Sequence, residues 1–573
     1  MRILGLNHGE FNSSAALIED GKVLFAAPEE RFNREKRTKK FPSLAIDFIL
    51  GQVGAEISDL DSIAQGWNPS AHQSVFNPLL SEHRIRREDY FYTLPDNLLE
   101  FAPRIYSNYT KMEFDKKKLP PIFFVDHHLS HAANAFFTSD FEEAAILTAD
   151  WRGEETSSFM GIGSGNSIRE ISRLKIPDSL GMFYATFTQM LGYKPDNDEW
   201  KVMALSAYDL DVDELTKKIY STIRLTDGGF FELDRKFYVG FDVNSPKLYS
   251  QALLELLDFV PSEYSAEPRE TDIRIAIAMQ AVSEKIALHS INFLQQQSGL
   301  KKIALSGGFF MNSVLNGKIV EQSKFEEVYL PPAPADVGNS IGSALYVAHC
   351  INSSPRVKQG NISYLGPSFD GKSIEMSLKR RGLEFTRLTN VAREVAELLA
   401  NNNVVSFFQG QMEFGERALG NRSILADPRK SETKDLINSM IKYREGYRPF
   451  APVCIEEEAS HFFDLSGNAK VPYMEKVVQT REEYINNLMA VVHVDNSARL
   501  QTVNKEANPL LHELLLEFKK ITDFPILLNT SFNVNGEPIV CTPDDALSTF
   551  YNSGLTHLVL GNYLVQKPTG VSR

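Results

Sequence analysis

The sequence has few cysteines and no long apolar run. Only three cysteines occur in 573 residues, Cys350, Cys454 and Cys541. Their odd number and wide spacing exclude a disulfide framework and a CxxC metal site, so a reducing cytoplasm is the expected location. No apolar run approaches the length that crosses a bilayer, and the opening MRILGL lacks the basic and apolar regions of a signal peptide. We therefore expect no membrane partner.

The chain also lacks an excess of positive charge. Its formal net charge is −14 and its pI is about 5.5, which disfavours nucleic acid as a partner. Apolar residues make up 43% of the chain, with 38 Phe and 20 Tyr, which is ample for packed cores. The chain is longer than the length at which a single hydrophobic core stops growing. We therefore expect two domains, 1–352 and 361–573, with the polar stretch NSSPRVKQG as the boundary.

One stretch, Phe408–Pro452, is basic in this acidic chain. Arg417 and Arg422 flank the small, apolar step ALG, which a solvated run of charges would not need. Arginine suits bidentate recognition of phosphate, and glycine permits close backbone approach. Composition leaves two interpretations open: a pocket for a polyanionic small molecule, or a basic surface helix with ordinary ion pairs. The other cations are Arg429, Lys430, Lys434, Lys442, Arg444 and Arg448.

Two stretches in the first half share the pattern strand, polar turn, strand. In the first, two short strands flank the turn Glu19–Lys22. In the second, Ala144–Thr148 and Thr156–Ile162 flank the turn Asp150–Glu154. The repeat indicates a duplicated lobe, although any two hairpins share this much. Residues 210–265, by contrast, carry no motif and are expected to form helices and a hairpin.

Between the two hairpins lies HHLSHAANAFF, residues 127–137. On a helix, His127 and His131 are four residues apart and would share one face, where they can chelate one metal ion. The small residues that follow are consistent with a tightly packed helix. The alternative is a pair of core or capping histidines.

Three later stretches have the composition of phosphate or nucleotide sites. In LSGGFFMN, residues 305–312, a strand runs into paired glycines and a helix start, which makes backbone N–H groups available. Residues 491–503, VVHVDNSARLQTV, begin with strand-like alternation and offer Arg499 to a site. Residues 525–538, PILLNTSFNVNGEP, read as a buried strand followed by polar donors, although on pattern alone an ordinary Asn-Gly turn after the strand is the favoured explanation. These donors are Asn529, Thr530, Ser531 and Asn533.

EFGERALGNRSILADP and KYREGYRPFAP, both within the basic stretch, resemble the signature of the O-carbamoyltransferases of antibiotic and nodulation-factor biosynthesis. The resemblance covers nearly the whole chain. It implies an α/β protein with a two-lobed, actin-like N-terminal domain of the threonylcarbamoyltransferase type and a YrdC-like α/β C-terminal domain. It also implies an enzyme that makes carbamoyl-adenylate from carbamoyl phosphate and ATP. The carbamoyl group then passes to a hydroxyl, or an amine, of a small-molecule natural product or sugar.

The resemblance also assigns roles to individual residues. It implies one divalent metal ion, favouring Fe²⁺ with Mn²⁺ or Zn²⁺ as alternatives, and Mg²⁺ accompanies ATP. The implied metal ligands are His127, His131, Asp150 and Asp336. The implied catalytic arginines are Arg417, Arg448 and Arg499. The implied nucleotide and phosphate contacts are Lys201, Gly307, Gly308, Asn312, Arg422, Ser423, Lys442, Arg444, Asn529, Thr530, Ser531 and Asn533.

Two positions depart from the family pattern. Phe11-Asn12 stands where the family carries a His-Asp pair, whose histidine is a candidate base for the acceptor hydroxyl; His8 and Glu10 are the candidates to replace it. Trp200 stands where the family has Gly in Glu-Gly-Lys. The alternative function is therefore a metal- and nucleotide-binding accessory protein with altered or lost transfer. The acceptor, the metal and a homodimeric state are left open.

Overall fold

The structure, a computed structural model, describes residues 1–9, 12–69, 94, 98, 119–240, 246–265, 267–443, 445–465 and 470–567. The chain divides into two compact units. Unit 1 comprises Met1–Asn33, Arg37–Ser206 and Leu210–Ile362, and unit 2 comprises Arg34–Lys36, Ala207–Asp209 and Ser363–Arg573. The domain bounds expected from the sequence, 1–352 and 361–573, stay a prediction. Within the described ranges, no helix is long and apolar enough to cross a membrane.

Unit 1 is a mixed α/β unit. Its strands are β1 (Arg2–Asn7), β2 (Ser14–Glu19), β3 (Lys22–Pro28), β4 (Ser62–Gln65), β5 (Ile122–Phe124), β6 (Glu143–Ala149), β7 (Thr156–Ser164), β8 (Ser167–Lys175), β9 (Ile223–Leu225), β10 (Phe231–Leu233), β11 (Lys302–Ser306) and β12 (Glu327–Tyr329). Its helices are α1 (Glu30–Asn33), α2 (Ser43–Val53), α3 (His127–Thr138), α4 (Leu180–Met190), α5 (Glu199–Leu205), α6 (Asp213–Tyr220), α7 (Gln251–Leu257), α8 (Glu270–Ser298), α9 (Ser313–Gln322) and α10 (Asn339–Tyr346). Between 210 and 265 the expected helices and hairpin are present.

The two larger sheets of unit 1 have the same topology. The first has the strand order β3-β2-β1-β4-β5 and the second has the order β8-β7-β6-β11-β12. In each sheet, three antiparallel strands are followed by two strands that run parallel to the first strand. This is the strand order of the actin-like fold. The duplicated lobe and the actin-like architecture expected from the sequence are therefore confirmed.

The first sheet is covered on both faces, which explains why its central strands are buried throughout. Leu4 and Leu6 of β1 pack with Ile46 and Ile49 of α2 in one apolar cluster. Gly5, between the two leucines, points to the opposite face, where a Cβ would overlap the Ser340 carbonyl oxygen of α10. The alternation of large and absent side chains along β1 therefore lets a helix lie against each face.

Unit 2 contains an eight-stranded mixed sheet of order β13-β22-β21-β14-β15-β20-β16-β19 and a two-stranded sheet of β17 and β18. The strands are β13 (Thr386–Arg387), β14 (Val405–Phe408), β15 (Arg422–Ala426), β16 (Ala451–Ile455), β17 (Val477–Gln479), β18 (Ser497–Arg499), β19 (Gln501–Val503), β20 (Ile526–Ser531), β21 (His557–Leu560) and β22 (Tyr563–Gln566). The helices are α11 (Gly371–Arg380), α12 (Val391–Ala400), α13 (Glu432–Ile437), α14 (Ala459–Phe462), α15 (Pro509–Thr522) and α16 (Pro543–Tyr551).

The large sheet of unit 2 is also buried on both faces. Phe407 packs in one apolar cluster with residues of α12 and α15, while the next residue, Phe408, packs in another with residues of α11 and α16. Strands covered on both faces read as continuous apolar runs, as in VVSFF before the basic stretch. The sheet confirms an α/β C-terminal unit, and its YrdC-like character stays a prediction.

The predicted starting residue of one strand is wrong. Alternation in VVHVD predicted a strand from residue 491, but the strands begin only at Ser497. The Asp495 carboxylate accepts hydrogen bonds from the Ser497 backbone N–H at 3.0 Å and from its hydroxyl at 2.6 Å. Such a local side-chain bond favours a turn over an extended ladder, and Asn496 has a positive φ of 62°.

Candidate functional site: a metal-type cluster and an arginine cluster

Four side chains converge in unit 1 where β6 and β11 end. Two come from the first turns of α3, one follows β6, and one lies in the loop before α10. Each side chain offers one ligand atom, and the four atoms lie within 4.8 Å of one another. The cluster consists of His127, His131, Asp150 and Asp336.

The spacing of these atoms suits a single divalent ion. His127 Nε2 and His131 Nε2 are 3.2 Å apart. His131 Nε2 lies 3.0 Å from Asp150 Oδ2 and 3.2 Å from Asp336 Oδ1, while His127 Nε2 lies 3.8 and 3.5 Å from the same oxygens. Ligands held about 2.0–2.2 Å from one ion are roughly 3.0–3.5 Å from each other. Two imidazoles and two carboxylates fit Fe, Mn or Zn.

The electrostatics of the cluster also favour a cation. Burial lowers the pKa of His127, but the charges of Asp336 and Asp150 outweigh it and raise that pKa to about 9. Burial raises the pKa of Asp150, yet hydrogen bonds from His127 and His131 hold it well below its usual range. Burial and the Asp150 charge together raise the pKa of Asp336. Two carboxylates side by side, one buried and one 14% exposed, are stabilised by positive charge between them.

Helix α3 is fixed at its start by two carboxylates. Asp126 accepts a hydrogen bond from the Leu129 N–H at 2.9 Å as the N-cap. Glu154, only 1% exposed, accepts one from the His127 N–H at 3.1 Å and one from the Asn68 N–H at 2.6 Å. The bonds from Leu129 and His127 lie at the end of the helix that bears the two histidines, so they set where the imidazoles point.

The remaining residues predicted in unit 1 lie after β1, on α5 and after β11. His8 is buried, with its ring edge-on to Phe41 at a centroid distance of 5.2 Å. Lys201 Nζ lies 3.4 Å from Asp198 Oδ2. Gly307 has a φ of 101°, and a Cβ there would overlap the Ala149 carbonyl oxygen. Glu10, like Phe11, lies outside the described residues.

Two residues of the LSGGFFMN loop make defined polar contacts. The Gly308 N–H donates a hydrogen bond to Asp150 Oδ2 at 3.2 Å, which joins the loop to the four-residue cluster. Asn312 caps α9 by accepting a hydrogen bond from the Leu315 N–H at 3.1 Å. Its amide also donates to Gln280 Oε1 at 3.0 Å. The Asn312 side chain thus orders the loop, and its contact with a nucleotide stays a prediction.

Three arginines of unit 2 lie close enough to influence one another. Burial lowers the pKa of Arg417, and the charge of Arg448 lowers it further. Burial holds the pKa of Arg499 well below its usual range, with a further contribution from Arg417. Arg448 pairs with Glu445 at 2.9 Å, and Arg499 Nε donates to the Met474 carbonyl at 2.8 Å. The Glu416 carboxylate opposes both shifts. Positive charges grouped in this way would attract an anion.

Lys442 lies against the end of β20. Its Nζ donates hydrogen bonds to the Ser531 carbonyl at 2.6 Å and to Asn533 Oδ1 at 2.8 Å. The Ser531 hydroxyl donates to the same Asn533 oxygen at 2.7 Å. The structure therefore brings together three of the predicted phosphate contacts, with Thr530 next to them on β20. Arg444 lies outside the described residues.

Three other side chains of unit 2, predicted to contact a nucleotide or phosphate, form hydrogen bonds with backbone groups of the protein. Arg422 is fully buried; its guanidinium donates to the carbonyls of Gln409, Asn421 and Pro367 and lies 3.7 Å from the centroid of the Phe408 ring. The Ser423 hydroxyl accepts from the Gly420 N–H at 3.0 Å. The Asn529 amide donates to the Ala418 carbonyl at 3.1 Å. Their contact with a nucleotide stays a prediction.

Glu413 organises the arginine-bearing loop, a role that sequence reasoning missed. It is 2% exposed, and its Oε1 accepts hydrogen bonds from the backbone N–H groups of Leu419, Asn421 and Arg422 at 2.8, 2.7 and 3.1 Å. The sequence suggested only an ion-pair partner for the nearby cations. One signal could have predicted this role. A carboxylate precedes, by a few residues, a glycine-containing loop whose backbone N–H groups need hydrogen-bond acceptors outside a helix or strand.

Comparison with known proteins identifies the family. The Carbamoyltransferase N-terminus model matches residues 2–345 and the Carbamoyltransferase C-terminus model matches residues 396–567. The Nodulation protein NolNO of Sinorhizobium fredii is 36% identical over 97% of this chain and 79% of its own length. The uncharacterized protein sll1178 of Synechocystis is 35% identical over 99% of this chain and 96% of its own. The chain therefore belongs to the carbamoyltransferase family and is a transferase, as the resemblance predicted.

A solved structure with a lower likeness is HypF of T. kodakarensis. It is 12% identical, with a TM-score of 0.33, over 62% of this chain and 48% of its own. A TM-score this low does not by itself show a common fold. The assignment of the actin-like fold depends instead on the repeated strand order of unit 1.

Proposed function

We propose that this carbamoyltransferase uses ATP and has two active sites. In unit 2, water hydrolyses carbamoyl phosphate to carbamate and inorganic phosphate, and the carbamate attacks the α-phosphate of ATP to give carbamoyl-adenylate and pyrophosphate. In unit 1, the carbamoyl group passes to a hydroxyl, or an amine, of a small-molecule natural product or sugar, and AMP leaves. The observation that carries the proposal is the buried four-residue cluster in a chain of this family.

The arginine cluster supports the first step. Transfer of phosphoryl groups depends mainly on positioning and on charge stabilisation. Arg417, Arg448 and Arg499 would stabilise the charge on the transferring groups. Lys442 would add a cation held in place by the oxygens of Ser531 and Asn533.

The four-residue cluster supports the second step. His127, His131, Asp150 and Asp336 would hold one divalent ion, with Fe²⁺ favoured by the resemblance and Mn²⁺ or Zn²⁺ as alternatives. When bound, such an ion attracts the adenylate phosphate and polarises the carbamoyl carbonyl. The Gly308 N–H orients the Asp150 carboxylate, while Asp126 and Glu154 hold the start of α3. His8 and Glu10 stay the candidate bases for the acceptor hydroxyl.

The alternative is a metal- and nucleotide-binding accessory protein of the same fold with altered or lost transfer. Two departures from the family pattern favour it: Phe11-Asn12 in place of the His-Asp pair, and Trp200 in place of glycine. The Trp200 indole N–H donates to the Asn197 carbonyl at 2.9 Å, which places a large ring beside Lys201. Retention of all four ligand-type side chains in one cluster favours the enzyme.

The proposal is tested by pyrophosphate release from ATP and carbamoyl phosphate, without acceptor and against an ATP-only control. We expect release in the wild type and its loss in Arg417→Ala and Arg499→Ala, since each removes charge stabilisation from the phosphoryl groups. His127→Ala should release pyrophosphate normally but fail in carbamoyl transfer. Lys430→Ala, an exposed cation of the same stretch, is the matched control and should behave as the wild type.

Two results would contradict the proposal in different ways. Equal loss of pyrophosphate release in all three variants would exclude a division of labour between the two units. No release from folded wild-type protein that binds ATP and metal would instead support the accessory-protein alternative.

A further inference from the structure

We propose that Ser306 and Asn339 are positioning residues that fix the proton on each imidazole, so that Nε2 of both His131 and His127 faces the ion. This inference rests on the proposed metal site. It concerns the two nitrogens that face away from the cluster, because a neutral imidazole binds a metal only through the nitrogen that carries no proton.

Ser306 decides the tautomer of His131. It is the last residue of β11 and is fully buried. Its Oγ lies 2.8 Å from the Pro334 carbonyl oxygen, and because a carbonyl only accepts, the hydroxyl proton is donated there. At its other contact, 3.2 Å from His131 Nδ1, the Ser306 oxygen must therefore accept. His131 Nδ1 then carries the proton, and Nε2 presents its lone pair to the cluster.

Asn339 occupies the corresponding position at His127. It is the first residue of α10 and is fully buried. Its Nδ2 lies 3.3 Å from His127 Nδ1 and 3.2 Å from His131 Nε2. Its Oδ1 is also buried and has no hydrogen-bond partner within the described ranges. Whichever end of this amide faces His127 Nδ1 decides which nitrogen of that ring carries the proton.

Ion binding selects one orientation of the Asn339 amide. With Nδ2 facing His127 Nδ1, that nitrogen accepts, and the ring proton lies on Nε2 inside the cluster. A half-turn of the amide, which exchanges O and N without moving the chain, brings Oδ1 to His127 Nδ1. The oxygen then accepts the Nδ1 proton, and Nε2 is left for the ion. The same half-turn replaces the donor that lies 3.2 Å from His131 Nε2 with an acceptor, which is tolerated only when the lone pair of that nitrogen is bound to the ion. Asn339 therefore presents Oδ1 to His127 when the ion is bound.

The test measures metal binding without ATP, carbamoyl phosphate or acceptor. Zn²⁺ is the probe because it is redox-inert, and its affinity for the full-length protein is determined by competition with a chromophoric chelator. Loss of partners of this kind costs about 10–100-fold in metal affinity, so Ser306→Ala and Asn339→Ala should each weaken Zn²⁺ binding by about that factor. Asn339→Asp keeps an acceptor but no donor and should bind Zn²⁺ at least as tightly as the wild type.

Ser343→Ala is the matched control. This serine is fully buried on α10, and its hydroxyl donates to the Ala64 carbonyl at 3.2 Å. Its variant should lose a comparable buried hydrogen bond and yet bind Zn²⁺ within about twofold of the wild type, because Ser343 is absent from the hydrogen bonds of both imidazoles.

A spectroscopic measurement on the wild type keeps the test decisive if a variant fails to fold. In zinc-loaded protein with ¹⁵N-labelled histidine, two-bond ¹H–¹⁵N correlations should show the proton on Nδ1 of both His127 and His131. A proton on Nε2 of either ring, or unchanged Zn²⁺ affinity in folded Ser306→Ala and Asn339→Ala, overturns the inference. If the Zn²⁺ affinities and proton positions are as expected but the wild type transfers no carbamoyl group, the proposed function is wrong and this inference stands.

Discussion

Glu29 shows how burial of one carboxylate couples stability to pH. Its side chain is 2% exposed and accepts hydrogen bonds from the N–H groups of Ala45 at 2.9 Å and Leu44 at 3.3 Å, at the start of α2. Burial raises its pKa from 4.5 to about 7, although the two N–H groups oppose the shift. The folded state therefore binds this proton more tightly than the unfolded chain. The resulting stability is fully present below pH 4.5 and is lost as the pH rises through about 7.

Glu29→Gln should stabilise the protein at alkaline pH. The amide oxygen still accepts from the N–H groups of α2, and the buried charge is gone. We expect the free energy of unfolding of the variant to exceed that of the wild type by on the order of 1–3 kcal/mol at about pH 8, with the difference vanishing below about pH 4. Urea unfolding midpoints at the two pH values measure it. Asp47→Asn, exposed on the same helix, is the control and should change stability by less than about 0.5 kcal/mol at either pH. A loss of stability in Glu29→Gln at both pH values would show that the negative charge stabilises the start of α2.

At the scale of elements, helix α10 packs closely against its neighbours because the contact positions are glycines, which have no side chain. A Cβ at Gly342 would overlap the Ser130 carbonyl oxygen of α3, and a Cβ at Gly5 of β1 would overlap the Ser340 carbonyl oxygen. The helix begins with Asn339 and follows the loop that carries Asp336. The distance from α10 to α3 therefore sets the geometry of the metal-type cluster.

Gly342→Ala should separate α10 from α3 and disturb the cluster. Overpacking of this kind costs about 1–3 kcal/mol, and Zn²⁺ binding should weaken as well because Asp336 and Asn339 move with the helix. Gly51→Ala in α2 is the control, since a Cβ there meets no atom within 4 Å. It should raise stability by about 0.5–1 kcal/mol. Unchanged stability and Zn²⁺ affinity in Gly342→Ala would show that α10 can shift without cost.

Elements set by local patterns were predictable from the sequence. The strand expected at Ala144–Thr148 is Glu143–Ala149 in the structure, and the HHLSH stretch is helical, as the small residues after it indicated. The first hairpin turn could be placed because Asp20 and Gly21 tolerate positive φ, here 49° and 80°. Each of these features depends on a few neighbouring residues, which is the range over which periodicity and turn chemistry act.

Features set by distant partners were not predictable. The role of Ser306 depends on the Pro334 carbonyl, and the backbone groups held by Arg422 extend back to Pro367. The sequence named ligand-type residues, because their side chains have characteristic chemistry. It did not assign these roles to Ser306, Asn339 or Glu413, since a serine, an asparagine or a glutamate acquires its role only from the groups that the fold brings beside it.

At the scale of the whole molecule, the two sets of functional side chains belong to different units of the chain. The metal-type ligands all lie between residues 127 and 336 in unit 1, whereas the clustered arginines and Lys442 lie between residues 417 and 499 in unit 2. In the proposed function, formation of the adenylate uses ATP, Mg²⁺ and cationic side chains and does not use the imidazole–carboxylate cluster. Removal of the metal should therefore separate the two proposed half-reactions.

Treatment with 1,10-phenanthroline, followed by dialysis into Mg²⁺, should abolish transfer and spare activation. The chelator removes Fe²⁺ or Zn²⁺ but binds Mg²⁺ weakly. We expect carbamoyl-phosphate-dependent pyrophosphate release to persist, while transfer to an acceptor found by screening sugars and aminoglycosides falls by about 10²-fold or more, as when a charge-stabilising group is lost. Loss of both activities would mean that the ion also supports unit 2, and retention of both would exclude the cluster from transfer. Adding back Fe²⁺, Mn²⁺ or Zn²⁺ singly then shows which ion restores the second step, because the set of two imidazoles and two carboxylates fits all three.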